Sequence, residues 1–219
     1  MLRILFEKKG NAVWISHLDL MRLFQRAFKR AGLPLKHTQG FNPRPSVSIA
    51  LPLSVGVESS CELLDFELDG VTVPCDEILT RLNSALVAGV KVLSVYGDGR
   101  KLKELSLLRC SVTLEYDKGI PADGVEKILS LFAGPDLLVE KRSKNGITEQ
   151  DIIPMIRSIN CKQVEKTALE LEAIVCCQNP NLNPMQLVAA IERYLPEYAP
   201  DFAKCRRIEL YDGKECIFR

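Results

Sequence analysis

The sequence lacks the short motifs that usually mark metal, redox or nucleotide chemistry. Its eight cysteines form no CxxC pair and no CxxxCxxC run, so neither a zinc knuckle nor a cysteine-bound iron–sulfur cluster is expected. There is no GxxxxGK(S/T), GxGxxG or GxSxG motif, and His17 and His37 are the only histidines. These absences predict a chain with no metal site, no cofactor and no catalytic residues of its own.

Long apolar runs are missing too. No stretch approaches the roughly 18 consecutive apolar residues of a membrane span, and residues 1–10 do not follow the order of a secretory signal. With 47% hydrophobic and 26% charged residues, the 219-residue chain has the composition of a globular protein with one large or two small domains. We therefore expect a cytoplasmic protein without membrane contact, whose cysteines are mostly reduced thiols packed among apolar residues.

Two neighbouring segments have opposite net charge: acidic residues are scarce in the first, and basic residues are scarce in the second. Residues 1–45 contain two acidic residues against nine basic ones, whereas residues 46–99 contain two basic residues against eight acidic ones. Such an asymmetry indicates either a charged partner or pairing between the two segments, and the sequence leaves both open.

The order of the predicted elements indicates an α+β protein made of two ferredoxin-like halves, residues 1–98 and 105–219, of which the second is looser. In the first half we predict strands at 2–7, 46–55, 62–68 and 90–96, helices at 16–31 and 74–86, and a sheet extension at 12–15. In the second half we predict strands at 110–116, 137–141, 168–177 and 206–211 and helices at 124–132 and 184–194, while 143–166 is not assigned.

The first predicted helix is the best defined of these elements. Ser16 and Asp19 have the spacing of a capping box, and apolar residues recur at helical spacing up to Gly32. On its other side Arg22 and Arg26 are followed by Lys29 and Arg30, so that basic side chains share one face.

A basic stripe next to an exposed aromatic is typical of phosphate contacts and base stacking, although a solvated face paired with the acidic segment has the same pattern. The loop at 39–45 supplies the aromatic, an amide and another arginine. The candidate binding residues are Ser16, His17, Asp19, Arg22, Arg26, Arg30, Phe41, Asn42 and Arg44.

Two further features have competing interpretations. His17 lies in the first turn of the helix. One interpretation makes it a general base or an anion ligand, and the other makes it a packed side chain without a chemical role. Asp65, Glu67 and Asp69 alternate with apolar residues along a predicted strand, which favours solvent exposure over cation binding or contact with the basic stripe. Asp65 is placed with Asp151 in a possible second binding patch.

The N-terminal part of the chain contains four distinctive strings: Phe6-x-Lys8-x-Gly10, Ile15-Ser16-His17-Leu18-Asp19-Leu20-Met21-Arg22, Arg26-Ala27-x-x-Arg30-Ala31-Gly32-Leu33-Pro34 and Gly40-Phe41-Asn42-Pro43-x-Pro45. These motifs resemble those of the radical-SAM-linked family, which is bacterial. Leu53-x-Val55-Gly56 and Glu62-x-x-Asp65 also match, and Asp151 with Pro154 looks like an acidic residue and proline of the family's second half. The motifs cover roughly the first third of the chain.

The resemblance implies a domain of unknown function that works with a radical SAM enzyme, encoded beside it or fused to it. S-adenosylmethionine and an iron–sulfur cluster would then be found only in that partner, which can also carry a cobalamin-binding domain. Members of the family look tied to ribosome and RNA-processing gene neighbourhoods, which implies an RNA-related role.

Three functions are compatible with these observations. The first is a non-catalytic accessory module that binds RNA or a nucleotide-bearing substrate through the basic surface, with the arginines on phosphate and Phe41 on a base. The second is a protein–protein adaptor for the radical SAM partner that makes no nucleic-acid contact. The third, which we favour least, is a metal-independent RNA-processing nuclease with His17 as its base.

Overall fold

The computed structural model describes residues 1–143 and 146–219 and divides into two compact units. The first unit is Met1–Leu102 with Arg219, and the second is Lys103–Phe218. Both are mixed α+β, and the described residues form four α-helices. No helix in the described part of the chain is long and apolar enough to cross a membrane.

The first unit is a four-stranded antiparallel sheet with two helices. Its elements are β1 (Leu2–Lys8), α1 (His17–Arg30), β2 (Val47–Ile49), β3 (Glu58–Phe66), α2 (Cys75–Ala85) and β4 (Val90–Tyr96). The strands are ordered β4-β1-β3-β2, and each neighbouring pair is antiparallel.

The helix α1 forms as predicted because its start and its end are both determined locally. The Ser16 hydroxyl accepts a hydrogen bond from the Asp19 backbone N–H at 3.2 Å, which caps the first turn. After the last turn Gly32 has a φ of +66°, and the Leu33 N–H donates to the Phe28 carbonyl at 3.0 Å.

The buried side of α1 forms much of the core of this unit. Leu20, Phe24, Ala27 and Phe28 are all buried. The Phe24 ring packs edge-on against Phe6 of β1, with 4.8 Å between the ring centroids. Apolar spacing along the helix therefore predicted the buried side correctly.

Two predictions in the first unit are wrong in detail. The sheet extension at 12–15 is instead a 3-10 helix over Gly10–Trp14, which begins where Gly10 takes a φ of +56°. The strand predicted at 46–55 is only Val47–Ile49, since the chain soon reaches Pro52, which has no N–H for a strand ladder.

The second unit has four antiparallel sheet strands, two helices and a two-stranded hairpin. Its elements are β5 (Leu105–Glu115), α3 (Gly124–Phe132), β6 (Leu138–Ser143), β7 (Gly146–Asp151), β8 (Ile156–Glu165), β9 (Ala168–Cys176), α4 (Met185–Tyr194) and β10 (Phe202–Asp212). The sheet is ordered β10-β5-β9-β8, and β6 pairs with β7 in a sheet of two strands. With that hairpin set aside, both units have the strand order 4-1-3-2.

One strand prediction for the second unit is wrong. The strand predicted at 137–141 belongs to the β6–β7 hairpin, and the sheet contains β8 instead, which lies within the unassigned residues 143–166. Within β8 only Cys161 is buried, so the strand shows little of the apolar alternation that would mark it. Residues 144 and 145 of that stretch lie outside the described residues.

Candidate functional site

Three arginines one turn apart line a shallow groove along α1. Arg22, Arg26 and Arg30 are all exposed, and the apolar side chains of Ile15 and Val87 also line the groove. The helix is 14 residues long, which at 1.5 Å per residue is roughly 21 Å. The structure therefore brings the predicted arginines together on one accessible surface.

These arginines differ in their partners. Arg22 donates to the Asp19 carboxylate at 3.0 Å, and Asp19 also accepts from the Ser16 hydroxyl at 2.8 Å. The hydrogen bond from Ser16 and the one from Arg22 lower the pKa of Asp19. Arg30 donates to the Ala85 carbonyl at 2.5 Å, whereas Arg26 has neither an ion pair nor a hydrogen bond within the described residues.

Pairing between the basic and the acidic segment does occur, but it does not involve the groove arginines. Arg3 of β1 binds Asp65 of β3 with two hydrogen bonds, at 2.6 and 3.0 Å, and both side chains are buried. Lys36 donates to Glu67 at 2.8 Å. Among the described residues, no carboxylate of the acidic segment pairs with the basic side chains of α1, so internal pairing does not account for the stripe.

The N-terminal end of α1 holds Ser16 and His17. Ser16 is the helix cap, and its hydroxyl is engaged with Asp19. His17 is the first residue of the helix and is half-buried, and its side chain makes no hydrogen bond within the described residues. The structure thus gives His17 no carboxylate or thiol partner that would orient it as a general base.

The loop at 39–45 presents the predicted aromatic. Two hydrogen bonds close its base: the Thr38 N–H donates to the Arg44 carbonyl at 2.8 Å, and the Arg44 N–H donates to the Thr38 hydroxyl at 3.0 Å. Phe41 and Asn42 lie between these contacts and are exposed, Phe41 completely. In the chain, Ser16 directly precedes α1, and this loop follows the helix after residues 31–38.

The possible second patch consists of structural carboxylates. Asp65 is 5% exposed and bound to Arg3, so the expectation that it faces solvent is wrong. Asp151 accepts hydrogen bonds from the backbone N–H groups of Leu137 and Ile153, at 2.9 and 3.0 Å, and so holds together the two ends of the β6–β7 hairpin. The two aspartates belong to different units.

Sequence reasoning missed Trp14, the only tryptophan of the chain. Trp14 is 69% exposed, on the 3-10 turn just before α1, and Leu18 and Val55 are exposed as well. A lone aromatic residue directly before a basic helix could have indicated this position. The predicted sheet extension at 12–15 assigned Trp14 to a strand instead.

The sheet of the second unit carries charges that neutralise each other. Lys162 of β8 binds Glu170 and Glu172 of β9, at 3.0 and 3.1 Å, and Glu172 also accepts from Arg109 of β5 at 2.5 Å. Ser111 donates to Glu170 at 2.7 Å. This network leaves little surplus charge on these strands, in contrast to the groove on α1.

The described residues contain no group of three or more His, Cys, Asp or Glu side chains placed to hold a metal ion.

A family model described as an uncharacterized protein conserved in bacteria (DUF2344) matches residues 1–184. No curated protein matches the chain.

Among solved structures, a chain of the crystal structure of a Cbf5–Nop10–Gar1 complex is similar with a TM-score of 0.52 and 10% identity, over 95% of this chain and 48% of that one. A structure of an H/ACA RNP bound to a substrate RNA containing 2′-deoxyuridine follows with a TM-score of 0.48 and 9% identity, over 94% and 46%. An unknown protein from Galdieria sulphuraria has a TM-score of 0.26 and 12% identity, over 94% and 96%. This chain spans about half the length of the first two, and the first likeness shows a shared fold.

Proposed function

Because this chain belongs to the bacterial DUF2344 family, matched over residues 1–184, we propose that it is a non-catalytic accessory module that binds RNA or a nucleotide-bearing substrate. The basic groove of α1 is the contact surface. The module works with a radical SAM enzyme, a partner that follows from the resemblance of the N-terminal motifs alone.

The observation that carries the proposal is the unbalanced charge on α1. Arg26 and Arg30 are exposed, and within the described residues neither has a carboxylate partner, although an acidic segment follows in the chain. Exposed guanidinium groups spaced by one helical turn can each contact a phosphate, and the release of counterions then makes binding depend on salt.

The strand orders support an assignment of both units as ferredoxin-like. Each has the antiparallel order 4-1-3-2, and the second has the β6–β7 hairpin inserted after its first helix. The likeness to the Cbf5–Nop10–Gar1 chain concerns the fold, so the RNA contact rests on the groove and not on that protein's activity.

The first test measures fluorescence anisotropy of a labelled cellular RNA pool with the purified protein at several salt concentrations. We expect salt-sensitive binding. The Arg22→Ala/Arg26→Ala variant should bind more weakly, and its salt slope should be smaller by about one for each phosphate that the variant no longer binds. The matched control is Lys118→Ala/Lys127→Ala, which removes two exposed charges from the second unit. Equal binding by both variants, or no binding at low salt, contradicts the proposal.

The exposed apolar residues beside the groove favour a second function, docking of a partner protein without nucleic acid. Leu18 is 66% exposed and Val55 is 53% exposed, both next to the turn that carries Trp14. This adaptor function predicts that a radical SAM partner co-purifies with the chain after nuclease treatment, and that Leu18→Ser abolishes the association.

A further inference from the structure

The exposed Trp14 lies on a turn that is held tightly from the β4 side. The Lys9 N–H donates to the Gly89 carbonyl at 2.8 Å. A Cβ at Gly89 would lie 2.5 Å from the Lys9 carbonyl oxygen and 2.8 Å from the Ala12 Cβ, and the φ of Gly89 is +87°. Only glycine allows this close approach, so the position of the turn is tightly specified.

A buried lysine holds the other end of the same turn. Lys8 is completely buried, and its ammonium donates to the Ile15 carbonyl at 2.8 Å, immediately before the cap of α1. Glu62, also buried, provides an opposite charge near it. Breaking this contact would leave the buried ammonium group without its hydrogen bond. The contact therefore fixes the point at which α1 begins.

The indole ring itself rests on Gly56. A Cβ at Gly56 would lie 3.5 Å from the Trp14 ring, and the Gly56 N–H donates to the Val13 carbonyl at 2.9 Å. The ring is therefore supported on one side while 69% of the residue stays in water. An aromatic side chain that is positioned but not buried offers a flat surface for stacking.

Along the chain, two exposed aromatic residues lie on either side of α1. Trp14 precedes the helix, Phe41 lies in the loop that follows it, and the groove arginines lie on the roughly 21 Å of helix between them. A basic surface that tracks the backbone, flanked by aromatics for the bases, is the arrangement by which proteins bind single strands. A duplex offers no free base faces to such aromatics, because its bases stack on one another.

We propose that the ligand of the α1 surface is single-stranded nucleic acid, with one unpaired base stacked on Trp14, another on Phe41, and phosphates on Arg26 and Arg30. This inference rests on the proposed function and narrows its substrate class to unpaired strands. A protein partner fits less well, because basic side chains predominate on the exposed side of α1.

The test uses Trp14 as its own reporter, since no other tryptophan contributes to the fluorescence. An unlabelled single-stranded RNA of mixed sequence is titrated into the protein, in parallel with a perfectly paired RNA duplex of the same length. We expect saturable quenching by the single strand, with at least tenfold weaker binding of the duplex.

Two variants separate stacking from charge. By anisotropy with labelled single strand, Phe41→Ala and Trp14→Ala should each weaken binding about five- to hundredfold with an unchanged salt slope, because stacking releases no counterions. Phe202→Ala removes an exposed phenylalanine, 54% accessible, from the second unit and should bind as the parent does. Circular dichroism shows whether each variant is folded.

Three results would overturn the inference. Salt-sensitive binding that is equal for single strand and duplex, and unaffected by both aromatic variants, rejects single strands but leaves the proposed function. Absence of salt-sensitive binding to either RNA rejects both. A blue shift of Trp14 emission with a partner protein, without any response to RNA, assigns the surface to protein docking.

Discussion

Arg3 and Asp65 show how burial changes the role of a charged residue. They are 3% and 5% exposed, and the guanidinium binds the carboxylate through two nitrogens while a third contacts the Arg100 carbonyl at 2.9 Å. Two charges removed from water in this way depend on each other. Asp65 is therefore a residue of the core, although the alternation along its strand indicated a surface position.

Replacing Asp65 tests this role. We expect Asp65→Ala to lower the free energy of unfolding by about 3–5 kcal/mol, because Arg3 would remain buried without its counter-charge. Asp69→Ala, at an exposed position three residues beyond the strand's last pair with β2, should change it by less than about 0.5 kcal/mol. Urea denaturation of both variants measures the difference, and similar effects would mean that Asp65 acts at a surface.

At the scale of one element, the two sides of α1 have different surroundings. The inner side is packed against β1 through Phe24 and Phe6, while Arg26 on the outer side has no hydrogen bond or ion pair among the described residues. A substitution on the outer side of α1 should therefore leave the packing of the inner side intact.

Two substitutions in this helix make that separation measurable. Phe24→Ala should cost about 3–5 kcal/mol of stability, because it removes a completely buried ring and leaves a cavity. Arg26→Ala should change stability by less than about 0.5 kcal/mol, and its effect should appear in RNA binding instead. Thermal unfolding provides the comparison; a large loss in Arg26→Ala would show that the basic side holds the fold.

In the hairpin β6–β7, one side chain binds the backbone at both ends of the element. Asp151 accepts from the N–H groups on either side of the hairpin, at Leu137 and Ile153, and Pro154 continues the chain in a short 3-10 turn. The resemblance that singled out Asp151 and Pro154 thus coincides with a local structural role, while a binding role for Asp151 stays a prediction.

Across the whole molecule, buried thiols contribute to the change of stability at alkaline pH. Burial raises the pKa of Cys110 and Cys177 to about 12 and that of Cys161 and Cys205 to about 11, from 9.0. A raised pKa in the folded state contributes stability that is complete below pH 9 and is lost as the pH rises towards the folded values. Burial also raises the pKa of Tyr116 to about 12, which acts in the same sense as the thiols, whereas burial lowers the pKa of Lys8, which acts in the opposite sense.

We therefore expect the free energy of unfolding to fall between pH 9 and pH 11. Urea denaturation at pH 7.5, 9, 10 and 11 under reducing conditions measures it. Cys110→Ala should make the decline shallower, whereas Cys216→Ser, at an exposed thiol, should leave it unchanged. A stability that stays constant or rises over this range would mean that these thiols ionise freely in the folded protein.

An element can be predicted from the sequence when the residues that determine it lie close together in the chain. The helix α1 could be predicted because its cap, its apolar spacing and Gly32 lie within 17 consecutive residues, from 16 to 32. The strand β8 could not, because an edge strand with a single buried residue has no periodic signal and is defined by its pairing with β9.

The candidate site divides in the same way. The sequence alone placed three arginines on one side of a helix and an aromatic in the following loop, because helical spacing and turn chemistry are local properties. Only the tertiary structure decided which charges stay accessible. Arg3 pairs with Asp65, which is 62 positions away in the sequence. Trp14 stays exposed because its ring contacts Gly56 and its turn is anchored at Gly89. Pairing and burial between distant residues leave no pattern along the chain, so they follow from the fold.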